Sequence, residues 1–335
     1  MKIAFFSAKT YDKEYFTRNN SRYKYEFSFY ETSLKTETAR LTSGYDAVCV
    51  FVNDQVNHAA IAELHEHEVK MIALRCAGFN NVDLEAADKF GLPVYRVPAY
   101  SPHAVAEHAV ALILSLNRKI HKAYNRVRDN NFSLERLAGF DVYGKKVGVI
   151  GTGKIGIEFS RIMLGFGCVV QAYDVHRSPE AEKLGIEYTA LETLFRTSDI
   201  ISLHCPLTHA THQMINRESL EMMKKGVMLI NTSRGKLINT HDVIEYLANR
   251  HIGYLGIDVY AEEEKLFFKD LSERIIDDEQ IARLMSFPNV LITAHQGFLT
   301  HEALDQIALT TLQNIKDFSE GRKNENIVSI ENIIN

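Results

Sequence analysis

The sequence predicts an α/β protein of two domains, in which a doubly wound parallel sheet is inserted into a second, smaller domain. Three observations carry that reading. The chain has 335 residues, more than one ordinary hydrophobic core supports, so two cores are expected. Short β-rich runs alternate with helical patterns almost throughout, which is how parallel sheets covered by helices read. No internal repeat or low-complexity segment interrupts the alternation.

In the first third, strands are expected at 3–7, 26–30, 47–52, 71–75 and 94–97, with helical patterns at 59–68 and 84–90 between them. A stiff link follows, Pro98-Ala99-Tyr100-Ser101-Pro102. Serine before proline suits a helix start, because proline is tolerated in the first turn. Apolar residues at helical spacing then predict one long helix over 103–124. The second series of strands is placed at 147–150, 169–173, 200–204, 228–231, 256–259 and 290–293. Six strands with intervening helices complete a doubly wound sheet. A last helical run over 300–320 is read as returning to the first domain. The expected organisation is therefore 1–100 plus 299–335 for one domain and 101–298 for the other.

Composition excludes several function classes. Hydrophobic residues make up 46% and charged residues 24%, with a formal net charge of −5 and both signs interspersed. No basic block marks a nucleic-acid surface. The longest apolar stretch, 104–116, is interrupted by Glu107, His108 and Ser115 and is too short and mixed to span a bilayer. The first residues enter a strand-like run without the apolar core of a signal peptide. Cys49, Cys76, Cys168 and Cys205 lie far apart with no C-x-x-C pair, which fits free thiols in a reducing compartment, by default the cytoplasm. His65/His67 and His204/His209/His212 lack a matching cysteine or carboxylate set, so no metal site is expected.

Gly151-Thr152-Gly153-Lys154-Ile155-Gly156 fits the G-x-G-x-x-G pattern, a weak signal alone. Its context strengthens it. An apolar strand precedes it, and a helix with apolar residues at Ile157, Phe159, Ile162, Met163 and Phe166 follows. Gly151 permits the tight turn, Gly153 admits a pyrophosphate, and Gly156 allows close helix–strand packing. The helix N-terminus presents free N–H groups to the phosphates. The next strand ends at Asp174, where an acidic residue meets the adenosine ribose and disfavours a 2′-phosphate. His176 and Arg177 beside it partly offset that repulsion. A Rossmann-type dinucleotide-binding domain, with NAD as cofactor, is the expectation.

Ligands of open α/β sheets bind beyond the carboxyl ends of the strands. The residues at or just past the strand ends are Asp174, Cys205-Pro206, Thr232-Ser233-Arg234-Gly235, Asp258 with Glu263 in the following loop, and His295. Reduction of a 2-oxo acid needs a cation to hold the carboxylate and polarise the carbonyl, and an acid to protonate the developing alkoxide. Arg234 is the cation candidate, because guanidinium matches a carboxylate bidentately. His295 is the acid candidate; alone it reads as a packing histidine, and its place on the same rim as Arg234 argues for chemistry. A glutamate would hold the imidazole and favour its charged form. Residues alone do not choose among Glu262, Glu263 and Glu264, an acidic run that equally reads as solvated.

At this point the chain resembles the D-isomer-specific 2-hydroxyacid dehydrogenases, and among them the fermentative D-lactate branch of bacterial type. Val97-Pro98-Ala99-Tyr100-Ser101-Pro102 with Ala104-Val105-Ala106-Glu107-His108, the glycine loop, Ser202-Leu203-His204-Cys205-Pro206-Leu207, Asn231-Thr232-Ser233-Arg234-Gly235, Gly256-Ile257-Asp258-Val259-Tyr260 and Thr293-Ala294-His295-Gln296 carry the resemblance. It implies a Rossmann-type domain inserted into a flavodoxin-like substrate domain, and reversible NADH-dependent reduction of pyruvate to D-lactate. It also implies roles. Arg234 binds and polarises substrate, Glu263 pairs with the histidine, and His295 is the acid/base. Asp258 sits near the nicotinamide. Tyr100 and the backbone N–H groups of Ala77 and Gly78 hold the substrate carboxylate, and Phe298 walls the side-chain pocket. Lys154 and Ile155 line the pyrophosphate loop, while Cys205, Pro206, Thr232 and Ser233 contact the cofactor. The implied assembly is a homodimer or homotetramer through the nucleotide domain. Reductases of other 2-oxo acids (2-oxoisocaproate, hydroxypyruvate, glyoxylate) are the neighbouring reading. An NAD(H)-sensing corepressor on the same fold is the reading from another class. The charged segment 262–279 looks like a loop of the lactate branch, with no function legible in it.

Overall fold

Apolar four-residue runs such as Ala-Val-Cys-Val and Met-Ile-Ala-Leu, buried along their whole length, are the strands of a sheet covered on both faces. The computed structural model describes residues 1–328 and divides into two compact units, Met1–Ser101 with the described residues from Phe298 onward, and Pro102–Gly297. Residues 329–335 of the segment expected at 299–335 lie outside the described residues.

The first unit holds β1 (Lys2–Phe5), β2 (Glu26–Phe29), β3 (Ala47–Val50), β4 (Met71–Leu74) and β5 (Val94–Tyr95). They lie in the order β5-β4-β3-β1-β2, and a C-terminal strand, Ile327–Val328, closes the β5 edge. Neighbours among β1–β5 pair parallel, and the C-terminal strand is antiparallel. The order 2-1-3-4-5 is flavodoxin-like. The helix His301–Ser319, capped by Thr300, belongs to this unit.

The second unit contains β6 (Lys146–Ile150), β7 (Val169–Tyr173), β8 (Glu187–Tyr188), β9 (Ile200–Leu203), β10 (Val227–Asn231), β11 (Ile252–Ile257) and β12 (Val290–Ile292). All pair parallel in the order β12-β11-β10-β9-β6-β7-β8. This is the doubly wound Rossmann order with one further strand beyond its sixth. Parallel pairing brings every carboxyl end to one rim, which is what makes the strand-end residues a set.

Three sequence expectations need correction. The strand expected at 256–259 runs instead over Ile252–Ile257, which leaves Asp258 just past its end. The six expected strands are seven, because β8 is a two-residue edge strand, too short to show any period. The helix expected over 103–124 is two, Pro102–Arg118 and Ile120–Arg128, broken at Lys119 with φ +52°. The Lys119 ammonium donates to the carbonyls of Arg136 and Ala138, at 2.9 and 2.8 Å. Those tertiary bonds offset a left-handed conformation that lysine rarely adopts. The first helix buries Ala106, Ala109, Ile113 and Leu116 in a core shared with Val147, Val149, Ile157 and Phe159.

Candidate active site

The glycine loop joins β6 to the helix Lys154–Gly165. Gly151 has φ +98°, and a Cβ there would lie 2.6 Å from Cys205 N. Gly156 is equally close-packed, its Cβ position 2.0 Å from the Gly151 carbonyl oxygen. Gly153 is different: it is the helix N-cap with no side-chain cap, and nothing lies within 4 Å of a Cβ built on it. Lys154 is exposed in the first helical turn, whereas Ile155 packs partly against the core. Asp174 stands past β7 and accepts from Thr152 N–H at 2.6 Å and His176 N–H at 3.0 Å.

Past β9, buried Cys205 lends its carbonyl to the Ser233 hydroxyl at 2.6 Å, while Pro206 is exposed. Burial pushes the Cys205 thiol up to about 11. Ser233 is thereby engaged inside the protein. Thr232 beside it has a buried hydroxyl without a partner, a group that a ligand would satisfy.

Arg234 follows β10. Its guanidinium donates to the Ser233 carbonyl at 2.7 Å, and its own carbonyl accepts from the Asn231 amide at 2.9 Å. Gly235 is needed next to it, because a Cβ would lie 2.0 Å from the Tyr260 carbonyl carbon. That close approach draws the Arg234 loop against the loop that carries Glu263.

The choice among three glutamates is made here. Glu263 Oε1 lies 2.9 Å from His295 Nδ1, and Oε2 accepts from Tyr260 N–H at 3.0 Å. Glu262 pairs with Lys265 at 3.1 Å, and Glu264 is exposed. With Nδ1–H donating to Glu263, Nε2 is the atom left to exchange a proton. His295 itself has φ +53°, rare for a residue with a Cβ. Strained backbone of this kind clusters at functional sites. Phe268, also left-handed at φ +63°, sets its ring 6.0 Å from the imidazole.

The bend at His295 is tied down by Asp258. Oδ1 accepts from the Thr293 hydroxyl at 2.5 Å and Gln296 N–H at 2.9 Å, and Oδ2 accepts from Gly297 N–H at 2.8 Å. His295 N–H donates to the Asp258 carbonyl at 2.7 Å. His108 Nε2 stands 3.0 Å from Thr293 Oγ1 and 3.3 Å from Asp258 Oδ1. Because the threonine proton goes to the carboxylate, His108 Nε2 is the donor toward Thr293. Burial alone would raise the Asp258 pKa, but bonds from His108, Thr293 and Gln296 hold it below its ordinary value. His108 lies in a stretch that carries the resemblance but was given no role by sequence, since it is far from any strand end.

The remaining candidates lie in the first unit. Ala77 and Gly78 follow β4; the Ala77 carbonyl accepts from Arg96 at 3.1 Å and the Gly78 carbonyl from the Cys76 thiol at 3.3 Å. Their carbonyls are engaged within the loop. Phe298 is buried, with ring centroids 6.4 Å from Tyr100, 5.7 Å from Phe51 and 6.5 Å from Tyr11. Tyr11 and Phe51 had no sequence signal, being aromatic residues after strands without a motif. Burial and neighbouring Asp12 push the Tyr11 phenol up to about 12.

The family model for the D-isomer specific 2-hydroxyacid dehydrogenase NAD binding domain matches residues 110–297. The chain belongs to the D-isomer-specific 2-hydroxyacid dehydrogenases. A D-lactate dehydrogenase of Escherichia coli is 53% identical over 96% of this chain and 98% of its own. The structure of the pyruvate reductase of Chlamydomonas reinhardtii superposes with TM-score 0.92 at 46% identity, covering 97% of this chain and 98% of that one. The NAD-complexed D-isomer specific 2-hydroxyacid dehydrogenase of Lactobacillus delbrueckii ssp. bulgaricus superposes with TM-score 0.80 at 31% identity, over 98% and 100%.

As a dehydrogenase of this family the protein is an NAD-dependent enzyme, and its residues fit the cofactor. The open space at Gly153, the uncapped helix N-terminus and the orphaned Thr232 hydroxyl are features a bound dinucleotide would fill. Among the described residues, no group of three or more His, Cys, Asp or Glu could hold a metal ion, and no helix is long and apolar enough to cross a membrane.

Proposed function

We propose that the enzyme reversibly reduces pyruvate to D-lactate. The observation that carries this reading is the His295–Glu263 pair, 2.9 Å apart, on the rim that also carries Arg234. Arg234 holds the 2-oxo acid carboxylate and polarises its carbonyl. NADH, when bound, supplies the hydride. His295 Nε2–H gives its proton to the alkoxide oxygen, and Glu263 stabilises the imidazolium before that transfer. In the reverse direction His295 takes the hydroxyl proton.

The cofactor contacts are assigned to Gly151, Gly153, Lys154, Ile155, Gly156, Asp174, Cys205, Pro206, Thr232, Ser233 and Asp258. Tyr100, the Ala77 and Gly78 N–H groups and Phe298 are assigned to substrate. The unit Pro102–Gly297 is then the nucleotide domain and the other the substrate domain. The names of the E. coli and Chlamydomonas relatives support pyruvate as the 2-oxo acid.

The test follows NADH oxidation over a panel of 2-oxo acids, with chiral analysis of the product. Pyruvate is expected to give the highest kcat/KM, and D-lactate to be the product. No turnover with any 2-oxo acid, or L-lactate as product, would overturn the reading.

Two finer assignments accompany it. The four cysteines, all buried thiols outside any disulfide, support a reducing cytoplasm, which fractionation of the source cells tests. Ile120, Tyr124 and Val127 are exposed along one helix, and Phe132, Leu134 and Tyr143 are exposed in the segment that follows it. That apolar surface supports a symmetric homodimer through the nucleotide domain. Sedimentation at the mass of a single chain would refute it.

A further inference from the structure

Asp174 is oriented by a hydrogen-bond chain that starts outside the cofactor loop. Its Oδ2 lies 3.1 Å from Thr152 Oγ1, which is 2.7 Å from Tyr188 Oη. Tyr188 Oη in turn accepts from Ser178 N–H at 2.8 Å. A carboxylate accepts and does not donate, so the Thr152 hydroxyl donates to Asp174. Its single proton being used, Thr152 must accept from Tyr188. The direction of every bond is thereby determined: Ser178 to Tyr188 to Thr152 to Asp174. Tyr188 sits on β8, the edge strand that pairs with β7 just before Asp174.

The same ring also meets a cation. The Arg177 guanidinium carbon stands 5.5 Å from the Tyr188 ring centroid, within the range of a cation–π contact. Arg177 and His176 are the cationic candidates for meeting a phosphate beside Asp174, and both side chains are exposed. Tyr188 therefore does two things at once. Its hydroxyl feeds the chain that ends on the Asp174 carboxylate, and its face holds the Arg177 guanidinium.

We propose that Tyr188 is a specificity-determining positioning residue, through which the enzyme discriminates against a dinucleotide phosphorylated on the adenosine 2′-oxygen. The proposal rests on Asp174 being the ribose ligand. Loss of the hydroxyl frees Thr152 to turn away and loosens the carboxylate. Loss of the ring also releases Arg177, which suits 2′-phosphate binding in nucleotide folds of this type.

The experiment measures kcat/KM for NADPH and for NADH with pyruvate in the full-length enzyme. The readout is their ratio, which a general loosening of the fold does not move because both values fall in step. Tyr188→Phe, which keeps the ring, is expected to raise the NADPH/NADH ratio about 3-fold. Tyr188→Ala is expected to raise it about 10-fold, chiefly through a lower KM for NADPH, and adding Arg177→Ala should reverse much of that gain. Tyr188→Phe carries the test if Tyr188→Ala does not fold. Asp174→Ala separates the two claims. If it raises the ratio while neither Tyr188 variant does, the proposal falls and Asp174 keeps its role. If Asp174→Ala leaves the ratio unchanged, the ribose assignment falls and the proposal with it.

Discussion

Arg75 in the first unit and Arg234 in the second each stand just past a strand, and they are held in opposite ways. In the first unit Arg75 is 2% exposed, bonded to Asp12 at 3.2 Å and to the Ser7 carbonyl at 3.0 Å. Its guanidinium lies over the rings of Phe5 and Phe51, at 4.4 and 4.8 Å. In the second unit Arg234 is half-buried, and no carboxylate pairs with it among the described residues. A cation neutralised inside the fold can only hold the fold together. A cation left without a counter-ion is available to a carboxylate substrate. The difference lies in pairing and burial, not in residue type or in position after a strand.

The largest expected effect would break this comparison directly. Arg75→Met strands Asp12 in the interior and should cost about 3–5 kcal/mol of stability, read by denaturant unfolding. Arg234→Gln should change stability by less than about 1 kcal/mol while lowering kcat/KM for pyruvate. If Arg75→Met unfolds at the wild-type midpoint, the buried pair is not structural and the contrast collapses.

The next effect sharpens the contrast within the second unit. His295→Ala should lower kcat by at least ~10²-fold, the usual scale for a lost general acid. Its circular dichroism and melting temperature should stay near wild type, because the imidazole is partly exposed. Near-normal kcat would remove His295 from the chemistry.

A smaller effect concerns Asp258, a rim carboxylate that resembles Arg75 in being buried and held by several hydrogen bonds. Its folded-state pKa lies below its ordinary 3.8. It therefore contributes stability that is present above 3.8 and is lost as pH falls through the lower folded value. Urea midpoints recorded from pH 6 downward should drop through this window in the wild type, and more shallowly in Asp258→Asn. Parallel curves would show that the network around Asp258 contributes nothing through its charge.

Whatever depends on local period and local stereochemistry was legible in the amino-acid order. Alternating β and helical runs imply parallel sheets, Ser101-Pro102 starts a helix, and Gly151 at φ +98° must be a glycine. The strand-end rule then placed Arg234, Asp258 and His295 on one rim, because parallel strands share a direction. Tertiary structure alone decided what depends on contacts between distant segments. Glu263 rather than its neighbours reaches His295, because Tyr260 N–H holds one of its oxygens and leaves the other to the imidazole. Lys119 breaks a helix whose apolar spacing runs on through the break, because carbonyls at Arg136 and Ala138 receive its ammonium. His108 and Tyr188 act through side chains 185 and 36 residues away in sequence. Periodicity cannot report such pairs, since it records which face of an element is apolar and not what that face will meet.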